Sequence, residues 1–354
     1  MKNNNDINGS DAVKVVDTIL SDALEQKASD VYWIPGAEYC DVRFRINGVQ
    51  KKILELGNRE LAAQCASRIK VLSGMLTYKS KTSQDGSIKG VANFAGAELR
   101  VAAMPTIHGE RISIRILGAG GGPKYLEELG FQSSVQAGLR SMLVPSCGLI
   151  VLTGPTGCGK TTTIYAMIRE LLRNSQDPAS IICIEDPVEK VMPEISQVSL
   201  TRSGDDWGYE EALRAALRQD VKTLIIGEIR DYGVSKVVLN AALSGHRVIT
   251  TLHAGDIPSV YARLLHQGFE PFLVASAITG VVTQRLVSSK DGGERKPVAA
   301  FLSPDDKWKD FIIANPGISD MRRKILEYPD ADLKSVANKL AEKGIISKKD
   351  AMLI

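Results

Sequence analysis

The chain has 354 residues, 44% apolar and only 5% aromatic, enough for two domains with aliphatic cores. Its 44 Lys and Arg against 41 Asp and Glu leave a net charge of +3, a near-balance that argues against a protein whose main task is to coat nucleic acid. The five cysteines, at 40, 65, 147, 158 and 183, show no C-x-x-C spacing, so reduced thiols are expected and a structural zinc site is not.

The first segment, MKNNNDINGSD, is polar and lacks the apolar stretch of a secretory signal. The longest apolar runs, 149–152 and 272–282, are too short or too polar to span a bilayer. Residues 12–28 put Val13, Val16, Ile19, Leu20, Ala23 and Leu24 on one helical stripe. The period then changes to two: in DVRFRINGV, Val42, Phe44 and Ile46 face away from Arg43 and Arg45, and Asn47-Gly48 signals a hairpin turn. Asp85-Gly86, Ala95-Gly96 and His108-Gly109 punctuate three more short segments. The last of these, ERISIRIL, sets Ile112, Ile114 and Ile116 against Arg111, Ser113 and Arg115. Residues 1–117 therefore read as a small α+β domain on an antiparallel sheet, and GAGGGP at 118–123 as a flexible linker.

Beyond it, continuous apolar runs alternate with helical patterns: LIVLTG then IYAMIRELLR, SIICIE then YEEALRAALR, TLIIGE then VSKVVLNAAL, RVITTLH then VYARLLHQ. That alternation predicts an α/β domain, 124–304, with a parallel sheet covered on both faces. The remainder, 305–354, reads as a helical segment, its last part as small polar helices with turns at Pro329 and Gly344.

The stretch LTGPTGCGKTTT fits G-x-x-x-x-G-K-[ST], with an apolar strand before it and a helix after. Its backbone over Gly154, Pro155, Thr156, Gly157, Cys158, Gly159, Lys160, Thr161 and Thr162 is expected to cradle nucleotide phosphates, helped by the positive end of the helix. Lys160 should reach the β- and γ-phosphates, and the Thr161 hydroxyl should bind Mg²⁺. Position 158 needs only a small side chain, so a serine-like filler is one reading; a thiol activated by the helix end and Lys160 is the other.

In a doubly wound sheet the site lies at the carboxyl ends of the strands. Here those ends deliver Glu185 and Asp186, then Glu228, then His253 with Asp256 just beyond. A nucleotide hydrolase needs a carboxylate beside Mg²⁺ (Glu228 or Asp186), another to orient or deprotonate the attacking water (Glu228, Glu185) and a γ-phosphate sensor (His253). Many P-loop proteins place an Asp where this chain has Gly227, followed by Glu228.

With GPTGCGKTTT, CIEDPVE, LRAALRQDVKTLIIGEIRD, ALSGHRVITTLHAGD and TQRL in this order, the chain resembles the secretion and traffic ATPases of type IV pili, type II secretion and related conjugative or type IVB transport. These are the PilT/GspE-like motors. The N-terminal ASDVYW, VRFRINGV, SQDGSI and RVAAMPTIHGERISIRIL also fit, so the likeness covers nearly the whole chain. Gly-Glu in place of Asp is that family's own pattern. The resemblance implies a homohexamer, each subunit a PAS-like domain joined by a flexible linker to a RecA-like P-loop domain, with ATP and Mg²⁺ between them. It also implies that Arg100 and Arg115, with Arg111 beside them, reach the phosphates from N-domain strands, and it places the family's Arg230 in GEIRD. The cysteine-rich zinc element that pilus-assembly and type II secretion members usually carry after QRL is replaced by VSSKDGGERKPV, and the extra N-terminal domain common in those proteins is not seen. This points to the short retraction type or the conjugative and type IVB type. AGAELRVA differs from the retraction motors' arginine-rich wording. A cytoplasmic motor docked on an inner-membrane platform protein, without stable nucleic-acid binding, is the expectation; a RecA-like nucleic-acid motor is the alternative.

Overall fold

The computed structural model describes residues 11–46, 48–89, 98–117, 124–174, 177–200, 207–287 and 295–354. The expected linker at 118–123 and the Ala95-Gly96 turn lie outside these residues. The chain divides into two compact units, Met1–Gly122 and Pro123–Ile354.

In the first unit, α1 (Ala12–Glu25) starts at Asp11, whose carboxylate accepts the Val13 N–H. Ala12, Val15, Val16, Ile19, Leu20 and Ala23 are buried, whereas Val13 is exposed. The expected stripe was therefore rotated: Val15, not Val13, shares the i, i+3, i+4 face with Ile19 and Ala23. The strands are β1 (Asp30–Pro35), β2 (Cys40–Ile46), β3 (Val49–Leu56), β4 (Gln84–Ile88), β5 (Glu98–Thr106) and β6 (Gly109–Leu117), with α2 (Arg59–Leu72) between β3 and β4. They form an antiparallel sheet in the order β3-β2-β1-β6-β5-β4. Ile46 pairs with Val49 and Gly48 has φ +79°, the two-residue hairpin that Asn47-Gly48 predicts, although Asn47 itself lies outside the described residues. Val31, Trp33, Val42, Phe44, Val101, Ile112 and Ile114 share one buried cluster with α1 and α2. The opposite face carries the arginines.

Asp85-Gly86 is not a turn. Both residues lie inside β4, opposite Ala102 and Val101. A Cβ at position 86 would collide with the Ser73 carbonyl, and Ser87 N–H donates to that same oxygen at 3.2 Å. Glycine is there for close backbone approach.

In the second unit, a 3₁₀ turn at Leu126–Leu129 and α3 (Ser133–Met142) lead into β7 (Gly148–Thr153) and α4 (Lys160–Asn174). Then come β8 (Ile181–Glu185), β9 (Ser196–Ser199), α5 (Tyr209–Ala216), β10 (Thr223–Ile226), α6 (Tyr232–Leu243), β11 (Arg247–Leu252), α7 (Ile257–His266), α8 (Pro271–Ala277), β12 (Ile278–Val287) and β13 (Lys296–Leu302). The sheet order is β13-β12-β7-β11-β10-β8-β9, parallel throughout except for β13, which pairs antiparallel with β12. Alternate residues serve two cores. Leu149, Val151, Leu224 and Val248 meet α5 to α8, while Ile150, Leu152, Ile225 and Ile249 meet α3 and α4. The sheet is thus covered on both faces, as its unbroken apolar strands require.

The chain continues through α9 (Asp306–Ile313), α10 (Ile318–Lys324), α11 (Leu333–Glu342) and α12 (Lys348–Met352). The turn at Gly344 is present, with φ +73°. These helices are short, but they are not merely polar. Trp308, Ile312, Met321 and Ile325 enter the same core as β7 and β10, and Trp308 meets Tyr261 edge-on with ring centres 5.5 Å apart.

Candidate functional site

All three glycines from Gly154 to Gly159 adopt left-handed or related backbone: φ is +140° at Gly154, +73° at Gly157 and +92° at Gly159. Only glycine populates such values freely, and here they curl the loop ahead of the α4 N-terminus, whose first-turn N–H groups have no partner within the helix. A Cβ on Gly154 would collide with the Gln284 carbonyl and lie 2.8 Å from Cys158 Sγ. Gln284, on β12, braces the loop from below: its Nε2 donates to the Cys158 carbonyl at 2.7 Å, and its Oε1 accepts from Thr163 Oγ1 at 3.0 Å. Lys160 is buried and donates to the Gly154 and Pro155 carbonyls at 2.8 and 3.0 Å.

Cys158 is 3% exposed. Burial pushes its thiol upward, outweighing the opposing pull of Lys160, the loop amides and Arg285. The activated-thiol reading is thereby corrected, because an apolar enclosure disfavours the thiolate more than the helix end favours it. Cys158 fills space.

The ends of β11, β10 and β8 lie side by side next to β7, and their acids do not stand apart. Arg230 bonds Asp186 Oδ2 at 3.2 Å through Nη1 and Glu228 Oε1 through Nε. Glu228 Oε2 lies 3.1 Å from His253 Nε2. The Tyr209 ring sits under the Arg230 guanidinium, 5.3 Å from ring centre to Cζ. Burial pushes Glu228 upward, but Arg230 and then His253 more than offset it, so its pKa falls below the ordinary carboxylate value. Arg263 Nη1 holds the His253 carbonyl at 2.8 Å, and Thr153 Oγ1 ties the end of β7 to Ala254 at 2.7 Å. Asp256 caps α7 and pairs with Arg322 of α10 at 2.9 Å.

Gly227 is close to the Tyr209 hydroxyl: a Cβ there would lie 2.6 Å from it, so any side chain at this position presses on that one oxygen. The strand-end acid is the next residue, Glu228.

Glu185 differs from the sequence-based expectation. It shares a parity with Cys183 along β8, which turns it under α4, where it is 6% exposed. Tyr165 Oη lies 2.8 and 3.0 Å from its two oxygens, and Cys183 Sγ lies 3.1 Å from Oε1. Burial raises its pKa despite these bonds. The carboxylate beside the Thr161 hydroxyl is instead Glu189, with Oε1 at 3.4 Å. Sequence reasoning did not single out Tyr165, Glu189, Tyr209 and Gln284, which the structure places in contact with the candidate site residues. Glu189 and Gln284 lie inside the motif stretches CIEDPVE and TQRL; the tyrosines carry no signal beyond a helical position facing the sheet.

In the first unit, Arg100 and Arg115 face each other across the β5–β6 pair. Arg115 Nε reaches Asp30 Oδ1 at 3.2 Å with its side chain still 66% exposed, and Arg45 approaches the other Asp30 oxygen at 3.5 Å. Among the described residues, Arg100 Nε is enclosed without a hydrogen-bond partner. One aspartate therefore pairs with two arginines on this face, and Arg115 projects from it as the alternation predicts.

The donor set suits a nucleotide with its cation. The loop backbone is a cradle that side chains would fill, and Lys160 supplies a cation at its rim. Among the described residues no group of three or more His, Cys, Asp or Glu could hold a metal ion by itself. A cation here would rest on Thr161, a neighbouring carboxylate, phosphate oxygens and water, the usual manner of Mg²⁺.

The sequence profile of the family described as type II/IV secretion system protein matches residues 7–325. The chain belongs to this family. The type IV pilus assembly ATPase TfpB of Acinetobacter baylyi is 38% identical over 320 residues, 88% of this chain and 53% of TfpB. The chain spans about half to three-fifths of the length of the curated relatives it matches. Among solved structures, the pilus retraction motor PilT with bound ADP is 26% identical, with a TM-score of 0.72 over 95% of this chain and 96% of PilT. The ATPase DotB of Legionella pneumophila shares the fold, with a TM-score of 0.80 at 24% identity over 95% of this chain and 94% of DotB. The α/β fold read from the sequence, a P-loop-type parallel sheet preceded by an antiparallel α+β unit, is the fold of these proteins. Among the described residues no helix is long and apolar enough to cross a membrane.

Proposed function

We propose that this chain is the subunit of a homohexameric cytoplasmic motor that hydrolyses ATP with Mg²⁺ to power a pilus or secretion machine. The observation that carries the reading is the glycine cradle with Lys160 at the end of β7, beside the Asp186–Arg230–Glu228–His253 chain at the ends of the neighbouring strands. Membership of a family that includes named ATPases, and the ADP in PilT, support it.

When bound, Mg²⁺ neutralises phosphate charge and fixes the phosphate geometry. The loop N–H groups from 154 to 161 and Lys160 stabilise the charge that builds on the transferring group, the largest contribution in sites of this kind. Thr161 offers the hydroxyl to the cation. Its lowered pKa keeps Glu228 ionised at neutral pH, which suits it to orient water more than to take a proton. His253, bonded to Glu228, registers the γ-phosphate, and Glu185 shapes the strand end from beneath. Arg100 and Arg115 on the 1–117 PAS-like domain couple hydrolysis to movement about the 118–123 linker against the 124–304 RecA-like domain and its 305–354 helical segment. The cysteine-free stretch VSSKDGGERKPV after QRL favours the conjugative, type IVB or retraction-like branch, docked through an inner-membrane platform protein.

The test is steady-state phosphate release by the full chain. Lys160→Ala and Glu228→Gln should each lower turnover by about 100-fold or more, the scale of losing one preorganised charge contact, with circular dichroism unchanged. Normal turnover in Glu228→Gln would sink the reading. Stimulation by single-stranded DNA with a steep salt dependence would favour a nucleic-acid motor instead.

A further inference from the structure

Asp186 and Glu228 both grip Arg230, and Glu185 is buried against Tyr165. The acid that meets Thr161 is Glu189, exposed and 3.4 Å away. Two oxygens bound at right angles to Mg²⁺ at ~2.1 Å lie about 3 Å apart, close to this separation. Hydroxyl and carboxylate are both hard oxygen donors.

The backbone on either side of Glu189 is pinned. Val188 N–H donates to Ser199 Oγ of β9 at 3.3 Å. Lys190 N–H donates to Tyr165 Oη at 3.1 Å, and the Lys190 carbonyl accepts from Gln197 Nε2 at 2.8 Å. Gln197 Oε1 accepts the Met192 N–H at 2.7 Å. Glu189 is the residue between two anchored neighbours, and the anchors leave its carboxylate facing the first turn of α4.

We propose that Glu189 is the carboxylate that holds the magnesium shell beside Thr161, and that Tyr165 is a positioning residue for it, acting through Lys190. The proposal rests on the nucleotide-binding reading above and separates Glu189 from the acids that strand-end reasoning nominates.

The test uses the full chain and fluorescent N-methylanthraniloyl-ADP, titrated once with Mg²⁺ and once with EDTA. The unaltered chain binds more tightly with Mg²⁺. Glu189→Gln loses about tenfold or more of its metal affinity, the scale of removing a carboxylate that orients a metal shell, while its affinity in EDTA is unchanged. Tyr165→Phe moves the Mg²⁺ dependence the same way by less, again without a change in EDTA; a merely structural role would weaken both. Full Mg²⁺ tightening in Glu189→Gln, or its loss in Asp186→Asn and not in Glu189→Gln, overturns the proposal alone. If the unaltered chain binds no nucleotide under either condition, the functional reading falls and this inference with it.

Discussion

Gly227→Ala isolates the close approach of Gly227 to the Tyr209 hydroxyl. The new Cβ would lie 2.6 Å from the Tyr209 hydroxyl, with Glu185 Cα and the Ile184 carbonyl next at 3.6 Å. The last two are ordinary contacts, so the whole conflict is with one oxygen. Tyr209 cannot swing away cheaply: it is 8% exposed, belongs to the core under β8 and β10, and lies beneath Arg230. Overpacking of this kind costs about 1–3 kcal/mol. Tyr209→Phe removes only the hydroxyl and costs at most about 1 kcal/mol by itself. In the double variant the clash is gone, so its stability should match that of Tyr209→Phe. The assay is a urea titration of the full chain followed by circular dichroism, on the unaltered protein, both single variants and the pair. A neutral Gly227→Ala, or a double variant as unstable as Gly227→Ala, would refute the argument.

Arg230→Met should raise the pKa of Glu228, because burial then acts without its main counterweight; the acid limb of the turnover–pH profile moves to higher pH, and an unmoved limb would show that Glu228 does not set it. Glu185 has the opposite sense. Its folded pKa is raised from the ordinary 4.5 by burial, so stability is lost as pH rises through that range toward the folded value, and Glu185→Gln should flatten this part of the curve in a pH series of urea midpoints. Iodoacetamide at neutral pH should label Cys147, the exposed thiol, and spare Cys158 until urea is added, as peptide mass mapping would show; native-state labelling of Cys158 would contradict its burial.

Much of the site was legible because its residue types have few other uses. Gly154, Gly159, Lys160 and Thr161 at fixed spacing, after an unbroken apolar strand, predict a glycine-turned loop running into a helix, and the structure has that loop, with φ +140° at Gly154 and +92° at Gly159 ahead of α4. The period of two on β6 likewise put Arg111 and Arg115 on the open face and three isoleucines in the core, as found. What was missed depends on long-range contacts. Asp85-Gly86 carries a turn's residue types, and only the approach of Ser73 shows that glycine serves strand packing there. The direction of Glu185 was implicit in its parity with Cys183, but nothing local reveals that α4 covers that face with a tyrosine hydroxyl. The bond of Arg230 to two acids converts separate strand-end carboxylates into one connected chain, and pairing across 44 residues leaves no local trace.

The brace beneath the loop also sets an order of events during synthesis. Gln284 closes on the Cys158 carbonyl from 126 positions downstream, so a ribosome that has just released the glycine turn has not yet supplied its floor. Arrested chains ending before β12 should carry every letter of the phosphate motif and still retain no nucleotide, with capture beginning once that strand clears the exit tunnel. The brace on the cradle is thus supplied late in the nascent polypeptide, by a glutamine far from the glycine turn it supports.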